Sequence, residues 1–261
     1  MRVLSLGWGV QSFTLAAMSA LGKLDQLDLA IHSDTRFERQ GTYAFASEWT
    51  AWLESYNLRV LTVSSGELKR NVTRQLPKGT HEVQIPAFTY STGGGSGQIR
   101  RQCTQEWKVR PFRAEVRRWL PRGVQAEVWL GISADEFQRA RTADVRYIRN
   151  RFPLLELNMT REDCKTWLRN HDLPVPPKSS CTFCPYHSRP AFAELKRAAG
   201  ADWEQAVKID AEIRDKRPPF QLFVHPARIP LAQAVDIPED HGYVQTGFDP
   251  EGRCDEGVCW V

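Results

Sequence analysis

Arg2-Val3-Leu4-Ser5-Leu6-Gly7-Trp8-Gly9-Val10-Gln11-Ser12 opens the chain with a short apolar run, a turn bracketed by two glycines, and the first residues of a helically spaced segment. Arg2 to Leu6 reads as a buried strand and Ser12 to Leu21 as a helix, because the apolar period changes from continuous to helical across the glycines. A Gly-rich turn that feeds a helix N-terminus presents backbone N–H groups and the positive end of the helix dipole, which together hold phosphate. The pattern then repeats in kind. Leu27 to His32 predicts a second strand ending in Ser33-Asp34-Thr35, Thr42 to Tyr56 a helix with Tyr43, Phe45, Trp49, Trp52 and Leu53 at helical spacing, and Leu58 to Val63 a third strand. Alternating strands and helices imply a parallel sheet with ligand groups at the carboxyl ends of the strands. The expected fold is therefore α/β, a Rossmann-like parallel-sheet domain over residues 1–157 with a helical, cysteine-bearing C-terminal region over 158–261 packed on the same domain.

Farther along, Lys78 to Gln98 contains Thr92-Gly93-Gly94-Gly95-Ser96-Gly97 and reads as a mobile loop over the site. Thr104 opens a helix to about Leu120, and Gln125 to Ile132 is a further apolar strand. Thr160 is an N-cap with Asp163 at the capping-box position. Leu173-Pro174-Val175-Pro176-Pro177 ends that helix. Two more helices, Pro190 to Ala199 and Asp202 to Arg214, precede an irregular tail to Val261. The tryptophans, including Trp49, Trp52 and Trp119, are expected mostly in the core.

A chain of 261 residues with 41% apolar and 25% charged residues can bury a substantial core, and no apolar run is long enough to cross a bilayer. The first residues lack a signal-peptide pattern, so a cytoplasmic location is expected. In that reducing compartment the six cysteines read as ligands, nucleophiles or core fillers rather than disulfides. A net charge of +4 suits an anionic substrate without by itself implying nucleic acid. Arg100, Arg101 and Lys108, beside Cys103, are read as phosphate or sulfate contacts, whereas Arg110, Arg113, Arg117, Arg118, Arg139, Arg141, Arg146, Arg149 and Arg151 are read mainly as ion-paired surface.

Cys103 lies in Arg-Arg-Gln-Cys-Thr-Gln-Glu-Trp-Lys-Val-Arg-Pro, Cys181 and Cys184 form a Cys-x-x-Cys turn, and Cys254 and Cys259 lie near the end. A two-residue spacer lets two thiolates face one ion or cluster, either zinc or iron–sulfur. Cys164, inside a helical pattern, is expected to be a small core residue. Asp34, at a strand end, is either a ligand contact or a helix-capping residue. His187 either bonds a cluster sulfur or lies at the surface.

Together these motifs resemble the phosphoadenosine phosphosulfate (PAPS) reductase family of the adenine nucleotide alpha-hydrolase, or PP-loop, superfamily, and the resemblance covers most of the chain. Its blocks are Ser5 to Ser12, Cys103 to Pro111, Trp129-Leu-Gly131 through Glu136 to Arg139, and Asn158 to Thr160 through Leu173-Pro174 to Cys181-x-x-Cys184. The resemblance implies nucleotide contacts from Ser5, Gly7, Gly9, Gln11, Ser12, Asp34, Arg100, Arg101 and Gly131, and metal or 4Fe-4S ligands in Cys103, Cys181, Cys184 and Cys259. Lys108 and a tail thiol, Cys254 or Cys259, are the implied catalytic groups. The departures matter. The superfamily's Ser-Gly-Gly-x-Asp-Ser is represented only by Gly9 and Ser12, and position 102, beside Cys103, is Gln. The implied substrate is ATP or an adenylyl sulfate, with a thiol reductant or sulfur-donor protein as partner. Three functions are weighed: reduction of a sulfonucleotide; ATP-dependent sulfur insertion into nucleic acid, as in tRNA thiolation or DNA phosphorothioation; and non-catalytic nucleotide binding with structural zinc. Oligomeric state is left open.

Overall fold

The computed structural model describes residues 1–66, 74–75 and 81–236. Five parallel strands form the main sheet: β1 (Arg2–Ser5), β2 (Leu29–Ser33), β3 (Arg59–Val63), β8 (Ala126–Trp129) and β9 (Ile148–Arg151), in the order β3-β2-β1-β8-β9. The strand order reverses between β1 and β8, and in open α/β sheets ligands sit in the crevice at such a switch point. Both faces are covered, which is why the central strands β1 and β2 are mostly apolar and buried. On one face Leu4, Leu6, Ala30 and Trp129 pack with Phe13 and Leu15 of helix α1 (Val10–Ala20), Phe45 and Leu53 of α2 (Gln40–Ser55), and Cys164 and Leu168 farther along. On the other, Val3, Leu29, Ile31 and Val128 pack with Phe112, Val116 and Leu120, the first two on α3 (Arg110–Trp119). The α/β fold with a parallel sheet is thus as the sequence implies.

β9 is absent from the sequence reading. Its Ile-Arg-Asn-Arg stretch has one buried apolar residue, and it holds the sheet edge through charge: Arg149 and Arg151 both pair with Glu127 of β8. Arg151 also meets Asp25 and Glu156, and these hydrogen bonds raise its pKa above the ordinary arginine value.

The expectation of a mobile loop over Lys78 to Gln98 is corrected where the residues are described; Lys78 to Thr80 lie outside them. β6 (Phe88–Ser91) and β7 (Gly95–Gln98) form an antiparallel hairpin, and β10 (Gln221–Phe223) pairs with β6. The glycines serve the hairpin: Gly94 has φ +91°, a turn conformation that side chains rarely adopt. Val83, Ile85, Ala87 and Ile99 are buried beside it in a second core, shared with Phe183 and with α6 (Arg189–Ala198) and α7 (Ala201–Ile213). Two short strands, β4 (Arg74–Gln75) and β5 (His81–Glu82), pair antiparallel.

Three further local readings are refined. The helix expected from Thr104 begins as a π-helical turn over Thr104–Val109, a form common at functional sites, before α3 continues it. Thr160 does cap its helix, α5 (Arg161–Arg169), through a complete capping box with Asp163. That helix follows the single-turn α4 (Pro153–Glu156), and α8 (Leu231–Ala234) is the last described helix. Trp119 is not core: it is 41% exposed, with Arg59 lying 4.5 Å over its ring. No helix among the described residues is long and apolar enough to cross a membrane.

Candidate functional site

The turn after β1 and the end of β8 meet at the switch point. Ser12 closes the turn on itself, its Oγ accepting from the Gly7 N–H at 3.2 Å and lying 3.2 Å from the Gly9 carbonyl. Trp8 takes φ +57° in the middle of this turn and buries its ring against Phe13 and Phe45. A buried tryptophan in that backbone region is strained, and packing holds it there. The Ser5 hydroxyl and the Trp8 indole nitrogen are buried without a hydrogen-bond partner. Gly131 approaches so closely that an added Cβ would lie 2.9 Å from the Ser12 nitrogen and 3.1 Å from the Gln11 carbonyl carbon. Its missing side chain is what allows β8 to seat against the start of α1. Gly131→Ala is accordingly expected to cost about 1–3 kcal/mol by overpacking against backbone, read as a lower denaturant midpoint at unchanged slope.

Gln11 turns away from the mouth of the turn. Its Nε2 lies 3.4 Å from both Ser133 Oγ and Glu136 Oε2, and its Oε1 accepts from Arg161 Nη1 at 3.1 Å. Glu136 in turn pairs with Arg139 at 3.2 Å, both side chains buried. Asp34 behaves locally: Oδ1 accepts from the Arg36 N–H and from Tyr43 Oη, each at 2.7 Å. Burial and that carboxylate raise the pKa of Tyr43 above its ordinary value. His32, buried beneath, donates from Nδ1 to the Leu6 carbonyl at 3.0 Å, and burial lowers its pKa.

A second centre lies beside this turn. Cys103, Cys181 and Cys184 line one cavity together with Thr35, Arg101, Thr104 and Lys108. Cys103 arrives on the π-helical turn, its N–H donating to the Gln84 carbonyl at 3.0 Å. Cys181 is brought in by backbone pairing of its segment with the stretch after β2: Glu38 bridges Cys181, Arg39 N–H donates to the Ser180 carbonyl, and Thr182 N–H donates to the Phe37 carbonyl. Thr35 Oγ1 lies 3.2 Å from Cys181 Sγ. His187 is buried rather than at the surface, and donates from Nε2 to the Cys181 carbonyl at 2.8 Å, bracing the turn. Arg101 lies over the Tyr186 ring at 5.5 Å, while Arg100 is exposed. The Thr104 hydroxyl lines the cavity, buried and unpartnered.

Lys108 and Glu38 join the two centres. Lys108 Nζ donates to Glu38 Oε1 at 3.0 Å, with side chains 12% and 1% exposed. Ser179 Oγ contacts both the Gly7 carbonyl of the turn and, at 3.4 Å, Glu38 Oε2. Glu38, Thr104, Ser179 and Arg161 are the site residues that sequence reasoning passed over. Glu38 follows the strand-end stretch Ser33-Asp34-Thr35, the one signal that could have found it.

The four described cysteines are thiols. By donor chemistry, three of them on one cavity suit a thiophilic metal or an iron–sulfur cluster. Among the described residues, however, no group of three or more His, Cys, Asp or Glu side chains is drawn together so that it could hold a metal ion. Cys254 and Cys259 lie outside the described residues. Cys164 is fully buried in the core and not at the site; burial pushes its thiol up to about 12. In the native protein Cys164 should therefore react with iodoacetamide on the order of a thousandfold more slowly than an ordinary thiol, as mass spectrometry of the alkylated chain would show.

No protein-family model matches the chain, and no curated protein matches it. Among solved structures it is similar to a phosphoadenylyl-sulfate (PAPS) reductase from Candida auris in a phosphate complex, at 13% identity, with a TM-score of 0.42, over 67% of this chain and 74% of that one. The class that the fold and site define is an α/β protein with a glycine-bracketed turn at the switch point of a parallel sheet and a thiol-lined cavity beside that turn.

Proposed function

We propose that this protein is a PAPS reductase-like enzyme of sulfur metabolism that binds an adenine nucleotide and reduces a sulfonucleotide. The observation that carries the reading is the single cavity where Cys103, Cys181 and Cys184 meet Lys108 and Arg101, beside the turn at Gly7 to Ser12. An adenylyl sulfate would lay its phosphate on the amides at the start of α1 and its sulfo group toward Lys108 and Arg101, whose charges offset the anion. A thiolate, from Cys254 or Cys259, would then attack the sulfo sulfur. The new S–S bond forms as the S–O bond to the nucleotide breaks, AMP or its 3′-phosphate leaves, and an external dithiol releases sulfite while becoming a disulfide.

Cys103, Cys181 and Cys184 would hold an iron–sulfur cluster, with Cys259 or Cys254 as the fourth ligand. When bound, such a cluster would tune the electrostatics and redox character of the site. Anaerobically purified protein should carry about four irons with matching sulfide, lost on Cys103→Ala. It should release sulfite from adenylyl sulfate or its 3′-phosphorylated form, with Cys254→Ser or Cys259→Ser abolishing turnover. Pyrophosphate release from ATP without sulfite release would replace this reading with ATP-dependent sulfur insertion into nucleic acid. Stoichiometric zinc with no turnover would replace it with a nucleotide binder carrying a structural metal.

A further inference from the structure

Helix α3 carries the chain away from the candidate site, so its last turn lies at the opposite edge, where the parallel strands of the main sheet begin. That edge gathers arginines from segments far apart in sequence. Arg113 of α3 pairs with Asp144, and one turn on Arg117 lies 5.2 Å over the ring of Tyr147. Gln125 Nε2 donates to the Arg146 carbonyl at 2.9 Å, which fixes Arg146 beside the turn from Pro121 to Val124 that carries Arg122. On the other flank of α3, Trp119 is 41% exposed with Arg59, from the start of β3, 4.5 Å over its ring. The acids of this face are already taken: Asp144 by Arg113, Glu115 by Arg118 and the Trp119 indole N–H, and Glu127 by Arg149 and Arg151. Arg59, Arg117, Arg122 and Arg146 are exposed and have no acidic partner among the described residues. Every basic residue between positions 109 and 151 is arginine, none lysine.

A scatter of arginines on a helix is by itself an ordinary solvated face. Here the uncompensated charge is joined to exposed aromatic rings held under guanidinium planes, the combination that binds an unpaired nucleic-acid strand through its backbone and its base faces. We propose that this edge binds a single strand of nucleic acid, with Arg117, Arg122 and Arg146 meeting phosphates and Trp119 stacking a base. A base must leave its pair to lie on the indole, so the surface favours a single strand over a duplex. The adjoining cleft of about 450 Å³, lined by Arg2, Gln125 and Arg149, also holds Asp28 and Glu127. Those carboxylates repel an anionic backbone and keep it on the ridge formed by α3 and the turn at Arg122. This binding function lies at the opposite edge of the sheet from the thiol-lined cavity and rests on neither the nucleotide nor the cluster reading.

The test is fluorescence anisotropy of a labelled oligothymidylate of about twelve nucleotides, titrated with the full-length protein from about 50 to 200 mM salt. Three phosphate contacts on a single strand predict that log K falls with log salt at a slope of about −2. Arg122→Ala combined with Arg146→Ala should flatten that slope to about −0.7, since each lost contact removes about 0.7. Trp119→Ala should weaken binding about fivefold to a hundredfold at unchanged slope, the signature of a lost stack rather than a lost charge. Melting temperatures check that the variants fold; should Trp119→Ala fail to, the two arginines, both exposed, still decide the matter. No binding by wild type at the lowest salt, or an unchanged slope in the folded double variant, overturns the proposal. So does a duplex of equal length that binds more tightly than the single strand. Polyglutamate that displaces the oligonucleotide equally well at matched charge also overturns it, and assigns the face to an acidic protein.

Discussion

Glu38→Ala is expected to lower folding stability by about 3 kcal/mol. Removing one member of a buried ion pair typically costs about 3–5 kcal/mol, because the surviving charge is left without a partner. The lower end applies here because Lys108 retains 12% of its side-chain exposure and can draw on water, whereas Glu38 has only 1%. Glu38 also accepts from Ser179, which reaches the Gly7 carbonyl, so the loss should spread to the turn at the start of α1. Chemical denaturation of Glu38→Ala and Lys108→Met, each alone, and of Glu38→Met combined with Lys108→Met, separates the causes. If the uncompensated charge is responsible, the double variant should recover more than half of the loss, since well-packed apolar replacements of a buried pair are often neutral. A double variant as unstable as the singles would assign the cost to packing and to the Ser179 link instead.

The parts of this molecule legible in its sequence are those fixed by local pattern. The change of period at Gly7 to Gly9 marks β1, the turn and α1, and the Thr160 to Asp163 spacing marks a capping box. β6 and β7 were hidden because the same glycines that make a stretch look flexible also make a tight hairpin, and the decisive contact, β10, comes about 130 residues later. β9 was hidden because its stability comes from Glu127 across the strand pair rather than from its own apolar residues. At the site, the cysteines could be picked out by type, but what gathers Cys181 to the cavity is backbone pairing with the stretch after β2, which no spacing within either segment encodes. Glu38, Ser179 and Arg161 escaped for the same reason: each acts on a partner between 70 and 172 positions away. The need for glycine at position 131 lies in the α1 backbone it touches, not in its own turn.

Acid should unfold the protein from the side of the second core. His225 is 3% exposed, and burial, followed by the nearby positive charge of Arg189, lowers its pKa from 6.5 to about 4. In the unfolded chain the same imidazole binds its proton near pH 6.5, so between those values the unfolded state carries more protons than the native one. The sign follows. Stability is fully present above about pH 6.5, falls as the pH drops toward 4, and levels below that with respect to this group, for a total of about 3 kcal/mol at 1.36 kcal/mol per pKa unit. The ring sits 6.1 Å from Phe192, which in turn lies edge-on to His187 at 5.0 Å, and His187 holds the Cys181 carbonyl. Loosening at His225 should therefore reach the cysteine turn. Urea midpoints measured from pH 7.5 to 4.5 in wild type and His225→Gln should show the slope against pH flattened in the variant, because glutamine has no proton to gain on unfolding. Equal slopes in the two proteins would assign the acid sensitivity to another group, His32 first, since burial lowers its pKa as well.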